Sequence, residues 1–386
     1  SNLSLRWNIP FITGLNANAL FSYDHDYTIS KVFSTPYQVM RATLGYDNIT
    51  YSVQNAPAGF LDPSTQQYES TLYEGFANAE RFTGQVSLNY ARRFGLHDLT
   101  ALFLYEYSRY RTNDFDVNGE GFEFNDIQEL NLSNKIINSG KGYGGGSSVS
   151  PRAGYVGRIT YAYNNKYLLE LSGRYDGSYK FRPEHRWAFF PAISFGWRIS
   201  EENFFKETFP FVDNLKIRAS YGKLGNDANV GAFQFYNYIR PISANPIVII
   251  GGQQQKGYMT DVVPNPNLTW EVSTNYNIGL DATLWHGLLG IEFDTFYKIT
   301  KHILSAQTGN FPSSVGNYFP SIINYGIVDN KGFELSVNWR KNLTKDFHID
   351  LRGNLTYNQN KYVYVDDPNY PYVWQTTTGK PLSRLT

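Results

Sequence analysis

The sequence predicts an all-β protein, a transmembrane antiparallel β-barrel with about twelve strands in this chain. Three observations lead to this prediction. The strands are long and two-faced, aromatic residues stand at their ends, and the connections alternate between tight and very long. These features together are typical of β-barrels that cross a lipid bilayer. Residues 1–386 are predicted to form a single domain.

The segment at residues 166–176 illustrates the strand pattern. Successive side chains of a strand point to opposite faces, so a two-faced strand alternates in period two. One face carries Leu169 and Leu171 among tyrosines and a glycine, and the other carries Glu170 and Arg174. A soluble sheet would turn the first face toward a core, whereas a membrane barrel would turn it toward lipid.

The lengths of the strands and the residues at their ends favour a membrane barrel, in which the apolar face meets lipid. Many strands keep the alternation for roughly ten residues, against a usual strand length of about 5–6, and about 9–11 tilted residues cross a bilayer. Aromatic residues near strand ends would form the girdles found at both membrane interfaces. They include Tyr90, Tyr163, Tyr167, Trp285, Trp339 and Tyr357. A soluble sandwich or propeller is the alternative, although sandwich strands are ordinarily shorter.

Composition supports β structure and excludes several functions. The chain is 18% charged and 17% aromatic, with 31 Tyr and 33 Gly, a balance that favours strands. Its longest apolar run, residues 247–250, is too short for a membrane-spanning helix. A formal net charge of zero gives no attraction to nucleic acid. The absence of cysteine excludes disulfides and cysteine-based catalysis or metal binding.

The connections alternate between two kinds. Long connections with little predicted structure cover about residues 31–79, 113–152, 224–267 and 305–325. Tight connections separate them at residues 8–13, 95–98, 164–165, 286–287 and 343–345. Short periplasmic turns opposite long extracellular loops are the rule in outer-membrane barrels. One connection on the short side contains a predicted helix at residues 200–207, with Ser200 as its N-cap.

Several short segments in the middle of the chain form an ordered set. They are GRYDGS at 173–178, RWAFFP at 186–191, WRISEENF at 197–204, LKIRASYG at 215–222, GN at 225–226, NPNLTWE at 265–271, NIGLD at 277–281, NYG at 324–326 and NKGFEL at 330–335. In this order, across roughly residues 150–355, they resemble the SusC/RagA-like TonB-dependent transporters of Bacteroidetes outer membranes. Each segment alone is a weak signal, whereas the ordered set is specific.

The resemblance implies a barrel of about 22 strands with a plugged lumen. About twelve strands are only part of such a barrel, so the plug, the TonB-engaging segment and the final strands are expected to lie outside this chain. We therefore expect an open sheet with two bare edges and not a closed twelve-stranded barrel.

The resemblance also implies nutrient import and no enzymatic activity. In the family, a SusD-like surface lipoprotein captures oligosaccharides or peptides, the barrel carries them inward, and TonB supplies the energy. The expected location is the outer membrane of a Gram-negative, Bacteroidetes-like cell, with several membrane crossings and contacts to membrane lipid and lipopolysaccharide. A passive porin and a soluble β-rich glycan-binding module are the alternatives, and no nucleic-acid partner is expected.

Aromatic side chains in the long loops are candidates for substrate binding, because flat rings can stack on sugars or hold apolar peptide side chains. The candidates are Tyr143, Tyr236, Tyr238 and Tyr258. The alternative is that these rings pack the loops against one another or against the lid. No catalytic residues are predicted, since the six histidines form neither a metal-binding pair nor a Ser/His/Asp set.

The segment DFDVNG in the second long loop has the spacing of a calcium-binding loop. Asp114, Asp116 and Asn118 place oxygen ligands at the first, third and fifth positions, and glycine follows at the sixth. The twelfth position is Asn125 where a bidentate Glu is usual, and no helix pair flanks the segment. Ca²⁺ is the one cofactor that the sequence suggests, and an acidic solvated loop is the alternative.

Overall fold

The computed structural model describes residues 1–44, 49–56, 60–61, 68–136, 143–232, 234–236, 239–241, 248–250, 253–255, 258–260, 263–306, 322–344 and 346–382. In chain order the strands are β1 (Asn2–Asn8), β2 (Leu15–Ser34), β3 (Tyr37–Leu44), β4 (Ile49–Ala56), β5 (Phe60–Leu61), β6 (Tyr68–Glu69), β7 (Thr71–Phe94), β8 (His97–Phe122), β9 (Ser133–Ile136), β10 (Tyr143–Tyr163), β11 (Tyr167–Ser178), β12 (Trp187–Arg198), β13 (Val212–Asn226), β14 (Ile239–Pro241), β15 (Val248–Ile250), β16 (Gln253–Gln255), β17 (Tyr258–Thr260), β18 (Glu271–Leu284), β19 (Leu289–Ala306), β20 (Ile322–Asn342) and β21 (His348–Tyr364).

Helical structure is short throughout the described ranges. It consists of one α-helix, α1 (Asn203–Thr208), and 3₁₀ turns at Leu130–Leu132, Ile199–Glu201 and Val373–Gln375. A membrane-crossing helix, which would have to be long and apolar, does not occur in the part of the chain that the structure describes.

Twelve strands follow one another in the main sheet, in the order β1, β2, β7, β8, β10, β11, β12, β13, β18, β19, β20 and β21. From β10 onward, each ladder of this path is antiparallel. β9 adds to β8 beside the path. Within the described residues, β1 and β21 are the two ends of the sheet and do not pair with each other. The predictions of about twelve strands and of an open sheet are confirmed.

The tight turns lie where the sequence predicts them, and the turn between β10 and β11 explains why. Asn164 and Asn165 have φ values of 50° and 54°, the left-handed conformation that two-residue hairpins require and that Asn tolerates. The amide N–H of Lys166 donates to the carbonyl of Tyr163 across this turn, at 2.9 Å. The short turn therefore fixes the register of the β10–β11 ladder.

The prediction that the long connections have little structure is wrong in large part. β7 has 24 residues and β8 has 26, so both continue well into the predicted loops. Small two-stranded sheets are formed by β3–β4, β5–β6, β14–β17 and β15–β16. Alternation identifies a strand only where one face is apolar. Beyond the bilayer both faces meet water, so the backbone ladder continues while the sequence pattern that reveals it disappears.

The contacts divide the chain into two compact units. Unit 1 comprises Ser1–Leu3, Phe21–Gly84 and Ser108–Pro151, and unit 2 comprises Ser4–Leu20, Gln85–Tyr107 and Arg152–Thr386. The prediction of a single domain stays a prediction. Unit 2 contains all of strands β11–β13 and β18–β21 together with the family-like segments.

The strands of unit 2 reverse the exposure pattern of a soluble protein. Their apolar face, which we define by Leu171, Ile193, Ile217, Ile278 and Phe293, is exposed, and the side chain of Ile278 is 60% exposed. Their polar face is defined by Glu170, Arg174, Arg218, Asp281 and Asp294. It is more sheltered, and the carboxylate side chain of Asp294 is only 19% exposed. A sheet of this kind needs an apolar solvent against its exposed face.

Candidate functional site

Charged side chains on the polar face of unit 2 are neutralised in pairs. The guanidinium of Arg158 donates to the carboxylate of Glu170 at 2.8 Å, and that of Arg174 donates to Asp176 at 2.9 Å. Pairing lowers the net field of this face while leaving it wet and polar. The face can therefore accommodate hydrated molecules without strong selection for one sign of charge.

Arg218 is the most connected cation on this face. Its Nη1 and Nη2 atoms donate to the two carboxylate oxygens of Asp294, at 2.8 and 2.6 Å, and its Nε atom donates to Asp281 at 3.0 Å. A two-pronged guanidinium–carboxylate contact is strong and directional. Three neighbouring strands, β13, β18 and β19, are joined in this way.

A glycine makes the Arg218 contact with Asp294 possible. Gly279 lies between the two residues, opposite Arg218 in the β13–β18 ladder and opposite Asp294 in the β18–β19 ladder. A Cβ atom at position 279 would stand 2.7 Å from the guanidinium carbon of Arg218 and 2.7 Å from a carboxylate oxygen of Asp294. Only glycine leaves the gap through which the arginine reaches across β18.

A cavity of about 560 Å³ lies in unit 2 beside this network. Charged groups on its lining include Glu170, Lys216 and Arg218. Hydroxyl and amide groups complete the polar part of its lining, at Thr100, Thr160, Ser194, Ser220 and Asn277. Such groups both donate and accept hydrogen bonds, so the cavity suits sugar hydroxyls or peptide amides.

Several family-like segments meet at the loop end of unit 2. Five apolar residues form a buried loop-end cluster, namely Phe181, Phe190, Val230, Leu268 and Trp270. The Trp270 ring packs against Phe181 and Phe190, with ring centroids 5.2 and 5.5 Å apart. Its indole N–H donates to the carbonyl of Arg186 at 3.3 Å. A small core of this kind holds the bases of the loops in place.

Asp227 is the polar centre of the same region and is only 4% exposed. Its carboxylate accepts hydrogen bonds from Arg152 at 2.7 Å and from the Ser178 hydroxyl at 2.6 Å. The Lys180 ammonium donates to its backbone carbonyl at 2.8 Å. A buried carboxylate is costly unless its oxygens are hydrogen-bonded, so these contacts make Asp227 a structural hub.

At the turn end of unit 2, the carboxylate of Glu202 is shared by three side chains. It accepts from the Tyr167 hydroxyl at 2.7 Å, from Lys166 at 3.0 Å and from the Trp197 indole at 3.3 Å. These hydrogen bonds, that of Tyr167 first, hold the pKa of Glu202 below its ordinary value. The predicted N-cap at Ser200 is wrong, because Ser200 lies in the preceding 3₁₀ turn and Glu202 precedes α1 without capping it.

The four predicted substrate-binding tyrosines are only partly described. Tyr143 begins β10 in unit 1, with a side chain that is 69% exposed. Tyr236 in unit 2 is also exposed, and its ring stands 4.4 Å from that of Phe235. Tyr258 is opposite Pro241 in the β14–β17 ladder. Tyr238 lies outside the described residues. Their role in binding stays a prediction.

The calcium-loop geometry is wrong, because Asp114, Asp116 and Asn118 lie in β8 and not in a loop. Same-face neighbours on a strand are about 6.6 Å apart, whereas the oxygens around one Ca²⁺ ion each lie about 2.3–2.6 Å from it. Asp114 and Asn118 are thus too far apart to share an ion. Among the described residues, no group of three His, Cys, Asp or Glu side chains is placed to hold a metal.

The alternation of the strands does not by itself disclose the network that joins Arg218, Asp281 and Asp294. A signal for it appears once the strand register is known, because Gly279, which has no side chain, then lies between Arg218 and Asp294. The Asp227 hub was missed for a different reason. Its partners are 49 and 75 residues away in sequence, and no local pattern connects them.

An antiparallel sheet that exposes its apolar face and shelters paired charges on the other face is built as the wall of a transmembrane β-barrel. The family described as "TonB dependent receptor-like, beta-barrel" matches residues 2–386. The chain belongs to this family, whose β-barrels are outer-membrane proteins. The resemblance inferred from the ordered segments is confirmed.

Individual relatives agree with this assignment. TonB-dependent receptor P26 of Formosa agariphila is 32% identical over 377 residues, which are 94% of this chain and 35% of that protein. TonB-dependent receptor SusC of Bacteroides thetaiotaomicron is 32% identical over 221 residues, 56% of this chain and 21% of that protein. These relatives are named as receptors and not as enzymes, in agreement with the prediction that the chain has no catalytic role.

Solved structures share the fold. The structure of the RagAB peptide transporter is 21% identical, with a TM-score of 0.73, over 94% of this chain and 36% of that chain. The RagAB peptide importer in its "open-open" state gives a TM-score of 0.74 at 20% identity, over 92% and 35% of the two chains. The chain spans about a third of the length of P26 and of the RagAB chain.

Proposed function

We propose that this chain is part of the wall of an active importer that carries oligosaccharides or peptides across the outer membrane of a Bacteroidetes-like cell. A SusD-like surface lipoprotein would deliver the cargo, and TonB would supply the energy. The family match over residues 2–386 is the observation that carries the proposal. Among the proteins that it resembles, one is named SusC and another is a peptide transporter.

The chemistry of the polar face supports a hydrated, polar cargo. Arg158, Arg174 and Arg218 are each paired with a carboxylate. The polar face therefore has little net charge that would repel cargo of either charge. The hydroxyl and amide groups around the 560 Å³ cavity can exchange hydrogen bonds with water and with cargo. Oligosaccharides and peptides both present such groups.

Uptake by living cells that carry the whole protein tests this proposal. Cells with and without the gene would be given fluorescent oligosaccharides and peptides, before and after a protonophore collapses the inner-membrane gradient. We expect uptake of one cargo class to be lost on deletion and on protonophore treatment. Uptake that survives the protonophore would identify a passive porin, and a protein extracted without detergent would identify a soluble module.

Exposed tyrosines are proposed to contact the cargo. Tyr143→Ala and Tyr236→Ala in the whole protein are expected to weaken cargo binding severalfold in a fluorescence titration. Tyr175→Ala on the apolar face is the matched control, because its half-exposed ring lies on the opposite side of β11 from the polar face. Equal losses for all three variants would indicate a general effect on folding instead.

Calcium binding is kept as a separate proposal. The carboxylate of Asp116 lies beside Gly144 of β10, where an added Cβ atom would stand 2.6 Å from its oxygen, and this carboxylate is the oxygen ligand that we propose for a weak Ca²⁺ site. Calorimetric titration of Ca²⁺ into the wild type and Asp116→Ala would show a heat difference if the ion binds. Identical heats would show that Asp116 does not bind Ca²⁺, and the import proposal would be unaffected.

A further inference from the structure

The 366–378 loop follows β21 and lies at the loop end of unit 2. β21 begins after the tight turn that joins it to β20, so its last residue, Tyr364, is at the opposite end of the sheet from that turn. The chain then returns to β21, because the amide N–H of Gly379 donates to the carbonyl of Tyr362 at 2.7 Å. Both ends of the loop are therefore attached to the same strand.

Water and not lipid surrounds this loop. On the face of β21 that continues the apolar face, Tyr357 packs against Phe333 of β20, with ring centroids 5.8 Å apart. The next residues on that face are polar, first Gln359 and then Lys361, and the Lys361 ammonium stands 3.9 Å from the carboxylate of Asp329. Aromatic rings flank the apolar band of a membrane barrel. The band thus ends at the two rings, and the loop lies beyond it.

Hydrogen bonds inside the loop fix its shape. The two carboxylate oxygens of Asp367 accept from the backbone N–H groups of Thr377 and Thr378, each at 2.8 Å. The Lys380 ammonium donates to the carbonyl of Trp374. These contacts join the two sides of the loop and engage both charges. A loop whose shape is already fixed loses little conformational freedom when a ligand binds.

The apex of the loop, residues 369–374, consists of exposed residues, and three of the six are aromatic. The rings of Tyr372 and Trp374 are nearly parallel, with an interplanar angle of 15° and centroids 6.0 Å apart. The two residues are 60% and 64% exposed. We call this pair of rings the aromatic platform. Apolar surfaces that lie together and meet water mark interaction sites.

The backbone of the aromatic platform is already hydrogen-bonded within the loop. The N–H of Tyr372 donates to the side chain of Gln375 at 3.3 Å, and the carbonyl of Val373 accepts from the N–H of Thr376 at 3.2 Å. The carbonyl of Trp374 accepts from a lysine, as described above. A peptide that adds to a protein as an extended strand needs backbone partners of this kind. The platform offers ring faces instead, which disfavours a peptide strand.

The apex is also too small for a stable protein partner. Specific protein interfaces comprise about 20–30 residues on each side, whereas the apex spans residues 369–374. An oligosaccharide needs less surface, because the flat apolar face of a sugar ring can stack on one aromatic ring. The amide of Asn369, exposed at the same apex, can exchange hydrogen bonds with sugar hydroxyls.

We propose that the aromatic platform binds a neutral oligosaccharide at the cell surface, by stacking of Tyr372 and Trp374 on its sugar rings. A neutral ligand fits because residues 369–374 contain no charged side chain that could offset a charge on the ligand. The inference deepens the proposed import function, on which it rests for the role of the ligand as cargo, because it selects oligosaccharides over peptides.

Binding to the platform can be measured without transport. The whole protein in detergent would be mixed with xylohexaose, cellohexaose or mannohexaose, and hydroxyl-radical footprinting would report the protection of individual side chains. We expect at least one of these neutral hexasaccharides to protect Tyr372 and Trp374 about fivefold, because a stacked sugar ring covers the ring face. A decapeptide of mixed sequence should give no protection.

Substitutions separate the rings from the loop that holds them. Tyr372→Ala and Trp374→Ala should each lower the affinity for the hexasaccharide about tenfold in calorimetric titration. Trp374→Phe keeps a flat ring and should retain most of the affinity. Val373→Ala is the matched control, because Val373 lies between the two residues in sequence and is 85% exposed, and its affinity should equal that of the wild type. Retention of heat-modifiable migration on gels would establish that the variants fold.

Three results would overturn the proposal. One is the absence of protection by all three hexasaccharides in the wild type, which needs no variant to fold. Another is an equal loss of affinity for Val373→Ala and Trp374→Ala, which would assign the effect to the shape of the loop. The third is protection by the decapeptide, or only by a bound surface lipoprotein, which would make the platform a peptide site or a partner contact.

Failure of this inference is distinguishable from failure of the proposed function. If a hexasaccharide protects the two rings while living cells import no cargo, the import function is wrong and the platform remains a sugar site. If cells import oligosaccharides although the rings of the aromatic platform stay unprotected, the platform is not the site and the import function stands.

Discussion

The loop-end cluster and the apolar face hold the same kinds of side chain in opposite surroundings. Trp270 of the cluster is 7% exposed, whereas Ile278 of the apolar face is 60% exposed. The neighbours of Trp270 are protein atoms, including the two rings packed against it. The neighbour of Ile278 is lipid, once the chain is in its membrane. One region is a core and the other a surface, so the role of an apolar residue here depends on the solvent that its position meets.

Removal of Trp270 should have the largest effect. Trp270→Ala is expected to lower the free energy of unfolding by about 3–5 kcal/mol, because it leaves a cavity in a buried cluster. Urea unfolding of the whole protein in lipid vesicles, followed by heat-modifiable migration, measures the change. Trp285→Ala is the control, since the Trp285 ring at the turn end is about half exposed. Equal losses would contradict the distinction between core and surface.

A charge placed on the apolar face should have the second-largest effect on stability. Ile278→Arg is expected to destabilise the folded protein by about 2–4 kcal/mol if the position is near the bilayer midplane. Asn277→Arg is the matched control, because Asn277 is the adjacent residue on the polar face and lines the cavity there. The same vesicle assay compares the two variants. If both were equally tolerated, the apolar face would not be facing lipid.

The polar face can be tested by closing the gap at Gly279. Gly279→Ala is expected to cost about 1–3 kcal/mol, because the added methyl group displaces a charge-assisted hydrogen bond between Arg218 and Asp294. Gly353→Ala adds the same methyl group in open space and should be nearly neutral. A double variant with Asp294→Asn should show non-additive losses, because the residues share one network.

The smallest expected effect is the pH dependence of the turn end. Because the pKa of Glu202 is held below its ordinary value, its contribution to stability is fully present above the ordinary Glu pKa of about 4.3. That contribution is lost as the pH falls through the lowered pKa. Thermal unfolding in detergent between pH 3 and 7 should therefore show a shallower acid limb for Glu202→Gln. Glu207→Gln in the adjacent helix α1 is the control and should follow the wild type.

Strands could be predicted from the sequence only where one face of the strand meets lipid and the other meets water. The segment at 166–176 alternates because one face meets lipid and the other water, and β11 is found at Tyr167–Ser178. Alternation ends in the part of β8 that contains Asp114, Asp116 and Asn118, where the sequence predicts a loop. The prediction fails there because a strand with water on both sides has no apolar face, so its sequence shows no alternation.

The loop-end cluster shows a second limit. Segments such as NPNLTWE and GRYDGS could be recognised as an ordered set, yet their order along the chain does not disclose that Trp270 and Ser178 belong to one corner of unit 2. That knowledge depends on the pairing of β11, β12, β13 and β18. Contacts between distant segments follow from strand register, and register becomes visible only when the ladders are known.

The network that crosses the strand at Gly279 also depends on the register of β13. A strand inserted one residue out of step turns every side chain to the opposite face. Arg218 would then point into lipid, at a cost of about 2–4 kcal/mol near the midplane, and Asp281 and Asp294 would lose the cation that they share. A β13 paired one residue out of step would therefore be destabilised twice, by the lipid around Arg218 and by the loss of its contacts with β18 and β19.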